Sequence, residues 1–473
     1  MSASHHAEDG AAHDETRQLA EFASTLRYEQ LPAEVVAKAK TSILDTIGCC
    51  LYGATLASVR KLAAMVGEET PDGPAQVLGL PLRTAASNAA LVNATSAHAF
   101  QLDEIHIGAT LHPGAVSVPV VLALAGSGAY SGRDLITAIV AASEVGIRVG
   151  LACKGGMFTR GYHNQGTTGV FVAGAAAGRL LGLDAQRMRH ALGIAGSQAA
   201  GLMAVQEGAM AKGFHSGRAA QSGIYAAKLA ALDYTGIPNV LEAPYGGFFS
   251  TLVGEYAPAE LTAGLGTRWE ILKTGFKPAP ASNGSITAMA ALDRIMREHG
   301  LTAADIQEVT ASVSTNTLHH CGWDYDPAKV QGVLAAQMNL CYGMAVMALE
   351  RRATVDQFTE AKMRDPAILD FIRRIKVELE PRYDAAGGKL RVACRARVLT
   401  RDGRQCEAEV PYRKGSFEDP MSADELERKF FDLSTQVATR AQAGEIAATV
   451  AGIEKLDDVA ALMNKLAAAT SKT

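Results

Sequence analysis

From about Glu15 to Val253, apolar residues recur at helical spacing, and many of them are alanine or glycine. Segments such as LPAEVVAKAKTSILDTIGCCLYGA, RDLITAIVAASEVGIRVGLA and RAAQSGIYAAKLAALDY carry this period. In GVFVAGAAAGRLLGLD the small residues leave no bulky side to keep a neighbour away, so these helices must approach closely and bury more than one face. Helix punctuation agrees, with Ser131 before GRDLITAIV and Asp184 before AQRMRHALGIAG as expected N-caps. The expected fold class is mainly α.

Near residue 270 the texture changes. DIQEVTASVS (305–314), IKVELEPRY and KLRVACRARVLTRDGRQCEAEVPY alternate apolar with polar residues, and Asp402-Gly403 supplies a hairpin turn. A helical run, Gly332 to Arg352, lies among them, so this part reads as α+β, with helices on one face of an antiparallel sheet. From about Ala423 the helical pattern returns, in a position to rejoin the first part. A chain of 473 residues is long enough for two cores.

Charge and composition narrow the function. The net charge of −4, with no long basic run, gives no footprint for nucleic acid. Seven cysteines without CxxC spacing fit neither a disulfide framework nor a zinc ribbon, and point to a reducing cytoplasm. The start, MSASHHAEDGAAHDE, is polar and acidic, unlike a signal or transit peptide, and reads as a disordered tail over 1–14. The apolar stretch AVSVPVVLALAG is shorter than the roughly 20 residues needed to cross a bilayer and contains Pro119, so no membrane role is expected.

The titratable residues concentrate in FQLDEIHIGATLHPGAVSVP (100–119). Asp103 and Glu104 fit a general base, a metal ligand or a helix-capping acid. Together with His106 and His112 they offer oxygen and nitrogen ligands within ten residues, yet they match no HExxH spacing. His112, before Pro113-Gly114, and His163, in RGYHNQGTTG, stand at breaks between helices, where functional groups converge. His190 reads as a solvated bystander. Lys212 lies in GAMAKGFHSGRAA, and Lys277, followed by Pro-Ala-Pro, lies where the two textures meet, a place where small-molecule clefts form. GSGAYSG (126–132) is a poor dinucleotide fingerprint and reads as a helix–helix turn. No P-loop, GxSxG or SxxK motif stands in a matching context.

Taken together, SILDTIGCCLYGA, NATSAHAFQLDEIHIGATLHPGAVSVPVVLAL, the GYHNQGTTGVFVAGAAAGRLLGLD segment, AKGFHSGRAAQSGIYAAKLAALDYTGI and GFKPAPAS resemble the MmgE/PrpD family, in order, from about residue 20 to 350. That family includes 2-methylcitrate dehydratase, cis-aconitate decarboxylase and iminodisuccinate epimerase. The resemblance implies an all-helical domain over 15–270 and 415–473, built from both chain ends, and an inserted α+β lid domain over 271–414. It also implies a homodimer and catalysis without metal or organic cofactor. Its catalytic positions fall on Asp103, Glu104, His112, His163, Lys212, Lys277 and the lid-helix Tyr342. Gln101, His106, Thr167, His215 and Ser282 are the implied substrate-binding positions. Two departures stand out: members often read Asp-x-Asp-Asp where this chain has Gln101-Leu102-Asp103-Glu104, and the lid-entry lysine is followed here by ASNGSI.

The chemistry implied is removal of a weakly acidic proton next to a carboxylate, with the developing charge held by cations. Asp103, Glu104 or a neutral histidine takes the proton, and His163 or His112 donates one. A dehydratase acting on a small di- or tricarboxylate is the first expectation. An epimerase of a substituted succinate comes next, then a decarboxylase.

Overall fold

In the computed structural model, which describes residues 14–330 and 332–469, the chain is 58% helix and 8% strand. All of the expected N-terminal tail except Asp14 lies outside the described residues. The alanine- and glycine-rich runs become helices packed at short range. Helix Ala211–Ala231 lies so close to Ala86–His98 that a Cβ at Gly217 would collide with Leu91 O and Thr95 Oγ1. Only glycine permits that approach. Ser131 Oγ accepts from the Asp134 N–H at 3.2 Å and Asp184 from the Arg187 N–H at 2.8 Å, so both caps form. GSGAYSG connects helices Gly114–Ala125 and Gly132–Ala152. Gly132–Ala152 is long and apolar enough to cross a bilayer, but 94% of its most apolar window is buried by other parts of the chain, and it serves as an interior helix.

The alternating segments form a four-stranded sheet in the order Ile375–Leu379, Ile306–Val313, Cys394–Thr400, Gln405–Val410. The last two make the expected hairpin around Asp402-Gly403. An all-antiparallel sheet is not what forms: Ile306–Val313 and Ile375–Leu379 run parallel. A parallel pair needs a crossover, and the helices between the two strands supply it, whereas alternation along a strand is the same for either direction. The helical run from Gly332 also divides, into Gly332–Gln337 and Leu340–Glu350. Asn339 interrupts it, extended in backbone and accepting the Tyr342 N–H on Oδ1 at 2.9 Å. Helix Asn283–Glu298 packs on the hairpin strands, with Leu340–Glu350 against it.

Two apolar clusters result. One is drawn from residues between Leu19 and Ile271 together with Phe430 and beyond. The other spans Ala279 to Ala408 and takes in Cys49, Phe100, Leu102 and Leu433. Helix Ala423–Ser434 returns to Ala33–Gly53, where Phe430 covers Gly48. Lys429 Nζ there donates to Asp45 Oδ1 and to the Leu102 carbonyl, both at 2.6 Å. That buried contact fixes the Gln101–Glu104 segment from below.

Candidate active site

Between the two clusters lies a narrow cavity of about 70 Å3. Its walls are held by backbone pairing. Ile105 and Gly275 exchange N–H···O bonds at 2.8 and 2.9 Å, which sets Lys277 beside the Gln101–Ile105 segment. The Ser282 N–H donates to Gln337 O, and Gln337 Nε2 donates to Phe100 O, both at 2.9 Å. Ser282 Oγ caps helix Asn283–Glu298 by accepting from the Ser285 N–H, so the positive end of that helix faces the cavity.

Six of the residues expected from sequence line this cavity: Gln101, His112, His163, Lys212, Lys277 and Ser282. Lys212 Nζ donates to Gln101 Oε1 at 2.8 Å. Three others stand behind the wall. Asp103 is fully buried, with Oδ2 2.8 Å from His98 Nδ1 and 2.9 Å from His112 Nδ1. That arrangement puts the Nδ1 proton of His112 on the carboxylate side and leaves Nε2 for a ligand. His215 Nδ1 lies 2.9 Å from His163 Nδ1, and Thr167 Oγ1 donates to the His163 carbonyl at 3.2 Å, so both hold His163.

The remaining three do not converge. Glu104 Oε1 accepts the Gly114 N–H at 2.7 Å at the start of helix Gly114–Ala125, the capping role rather than a place in the cavity. His106 points toward Glu270, 3.5 Å away, on the wall of a neighbouring cavity. Tyr342 is buried in the sheet-bearing core, its hydroxyl donating to the Gln357 carbonyl at 2.7 Å. The family resemblance placed it among the catalytic positions, but its ring faces Tyr325 and Phe358.

Sequence reasoning missed several residues in and behind the wall. His98, behind it, closes helix Ala86–His98 among buried neighbours, and its spacing to Asp103 was the only signal. Its ring stacks on His163 with centroids 5.5 Å apart. Arg391, His320, Asn316 and Thr317 line the cavity itself. Arg391 Nη2 donates to Thr110 Oγ1 at 3.3 Å. Thr110 and Gln101 have φ of +52° and +59°, so two cavity residues hold left-handed backbone without being glycine, a strain of about 1–3 kcal/mol each.

Three cations, Lys212, Lys277 and Arg391, face this space, and no carboxylate lines it. Burial drives Lys277 down to about 7, with nearby Lys212, Arg413 and Lys429 adding to the fall against the pull of Asp103. Burial takes Lys212 to about 8. Burial likewise lowers His98 to about 3, His320 to about 4, and both His112 and His163 below the ordinary histidine value. Burial works against the Asp103 carboxylate as well, but His112 and His98 overcome it and hold the group well below the usual range. The pocket therefore presents neutral imidazoles beside lysines poised near neutrality.

His98, Asp103 and His112 offer three ligand atoms within 4.8 Å of one another, the set that a divalent ion needs. However, ligands on a tetrahedral zinc with bonds of about 2.0–2.1 Å stand roughly 3.3 Å apart. The 2.8 Å contact of His98 is a hydrogen bond to Asp103 Oδ2, and His112 Nδ1 stands at ion-pair distance, 2.9 Å, from the same oxygen, both closer than that spacing. The donor set does not fit a metal in this geometry.

The MmgE/PrpD N-terminal domain matches residues 17–260 and the C-terminal domain residues 280–455. The chain belongs to the MmgE/PrpD family. Among curated proteins it is 30% identical to cis-aconitate decarboxylase of Aspergillus terreus over 97% of each chain. It is 29% identical to the cis-aconitate decarboxylase-like protein oryM of Aspergillus oryzae, over 95% of this chain and 96% of that one. Human cis-aconitate decarboxylase is 27% identical over 93% of this chain and 92% of its own.

Proposed function

We propose that this member of the MmgE/PrpD family is a cofactor-free carboxy-lyase that removes carbon dioxide from a small unsaturated tricarboxylate, with cis-aconitate as the first candidate. The observation that carries the reading is the cavity wall: Lys212, Lys277 and Arg391 with no carboxylate among them. Three basic side chains that a polyanion would keep protonated suit three carboxylates, and they leave no place for a cationic substrate. Decarboxylation takes precedence over the dehydration expected from sequence because relatives bearing that name match nearly end to end.

The residues suit the steps. When the carboxylate on the saturated carbon leaves as carbon dioxide, its C–C bonding pair enters the adjacent double bond and builds charge on the far alkene carbon. The cations and the helix start at Ser282 stabilise that charge where it develops. The far carbon then takes one proton, giving a 2-methylene dicarboxylate. His112, anchored through Nδ1 on Asp103, delivers that proton from Nε2. A bound trianion favours the protonated imidazole, so substrate itself loads the acid.

Proton NMR in deuterated water tests this. With cis-aconitate the expected product carries an exomethylene group and one deuterium on the neighbouring carbon. Alkene formation from 2-methylcitrate or citrate without loss of a carboxyl group would make the protein a dehydratase. Deuterium exchange at a substituted succinate with the skeleton unchanged would make it an epimerase.

A further inference from the structure

A second cavity, of about 590 Å3, adjoins the first and shares Ile105, Arg391 and Val392 with it. Arg413 forms part of its lining. This side chain is fully buried. Its Nη1 donates to the Phe276 and Lys414 carbonyls at 2.8 and 3.0 Å, while Nε and Nη2 have no acceptor among the described residues. Arg391 Nε is unpartnered in the same way. The carboxylates on the wall do not answer them: Glu260 pairs with Arg268, and Glu270 with Arg268 and Lys273. Lys154 and Lys389, both exposed, add two further cations, and Glu418 is the one acid not engaged elsewhere among the described residues.

Glu418 and Asp45 act on the Arg413 charge from a distance, but buried N–H donors left without acceptors are unfavourable, and two free N–H donors on one planar fork match the two oxygens of a carboxylate or a phosphate. The arrangement is unlike that of the catalytic pocket, where histidines outnumber arginines. We propose that this cavity is a second anion site, taking a small oxyanion of two or more charges through Arg413 and Arg391, with Lys154 and Lys389 at its mouth. The shared chemistry is that of inorganic phosphate or an organic polycarboxylate. The site does not depend on the reaction assigned above.

Isothermal titration of the full-length protein tests it, with inorganic phosphate and tricarballylate as the probes. Lys212→Ala disables the first cavity, and this variant should still bind one equivalent per chain of at least one probe. Adding Lys154→Glu and Lys389→Glu, both surface changes outside the catalytic pocket, should weaken that binding at least tenfold. Arg413→Gln should abolish it, and if that buried change prevents folding, the surface pair still decides. Binding of phosphate alone assigns the site to an inorganic ion, and binding of tricarballylate alone to a polycarboxylate held next to the catalytic pocket. Loss of all binding in Lys212→Ala, or binding indifferent to the two surface reversals, overturns the proposal. Because turnover is not read, a failed decarboxylase assignment leaves this result intact.

Discussion

One oxygen of Asp103 serves two imidazoles, and His112 consequently has a single nitrogen to present to a ligand. Asp103→Asn removes the charge that holds both rings while keeping an oxygen that can still accept from them. The expected loss is about 10²–10⁴-fold in kcat, with KM changed far less, measured by steady-state kinetics on cis-aconitate. An equal loss confined to KM would assign Asp103 to binding instead. Lys212→Ala and His163→Gln should each abolish turnover while leaving the circular dichroism spectrum unchanged, and near-normal rates in both would remove the site assignment. Thr110→Gly offers a different separation, because it relieves left-handed strain while releasing Arg391. Tm should move little, and KM should rise several-fold. At this scale the sequence was informative where chemistry breaks a pattern. His112 precedes a Pro-Gly turn and Lys277 precedes Pro-Ala-Pro, and both line the cavity. Arg391 was hidden because GKLRVAC alternates like a strand, although its residues up to Val392 form turns and the strand begins at Cys394. Asp103 could be recognised as important but not placed, since nothing along the chain says whether a carboxylate faces the ligand or stands behind a histidine.

Helix Gly114–Ala125 shows how an element can decide between roles. Its first residue touches Glu104: a Cβ at Gly114 would lie 2.6 Å from Glu104 Oε1 and 2.7 Å from Ser42 Oγ. Gly114→Ala should therefore destabilise the protein by about 1–3 kcal/mol, read as a lower denaturant midpoint. Glu104→Gln keeps an acceptor for the Gly114 N–H and should leave kcat within a few-fold of the parent. A hundred-fold loss would return Glu104 to the catalytic machinery. Most helices were legible because their period survives any context, and the Ser131 and Asp184 caps were legible because they are local. Strand direction was not, since the pairing of Ile306–Val313 with Ile375–Leu379 is decided by the route of some sixty intervening residues. The division of the Gly332–Glu350 run at Asn339 was missed for a related reason. Asn339 is buried, and its amide donates to the Trp323 carbonyl at 2.7 Å, a tertiary contact invisible in the local pattern.

For the whole molecule, the ligand pocket draws Lys212 from one apolar core's neighbourhood and Lys277 and Arg391 from the border of the other. With Lys277 near 7 and Lys212 near 8, the charges proposed to hold a polycarboxylate are lost as pH rises through that window. The expected kcat/KM profile is flat below about pH 7 and falls above it, and Lys277→Arg should carry the falling limb to higher pH. A profile unchanged in that variant would remove Lys277 from the anion contacts. Stability runs the other way. The folded value for Lys277 lies below the 10.5 of a free lysine, so between about 7 and 10.5 the unfolded chain holds a proton that the native chain has released. Unfolding then takes up protons, and this group's contribution to stability rises with pH across that range. Thermal unfolding of the ligand-free protein at pH 6 and pH 9 should show this relative gain against Lys277→Met, which lacks the titrating group.

Lys212, Lys277, Arg391 and Arg413 line the two cavities without a salt-bridge partner among the described residues, and the two lysines keep their charge only below about pH 7 to 8. Below that pH such an interior should act toward simple anions as an ion exchanger does. Chloride, sulfate or a metabolite anion should then compete with substrate for it. Rates at a fixed, subsaturating substrate concentration should therefore differ between chloride and sulfate solutions of equal ionic strength, with the doubly charged ion the stronger inhibitor. Equal rates in both would mean that the interior excludes simple ions and admits only a shape it recognises.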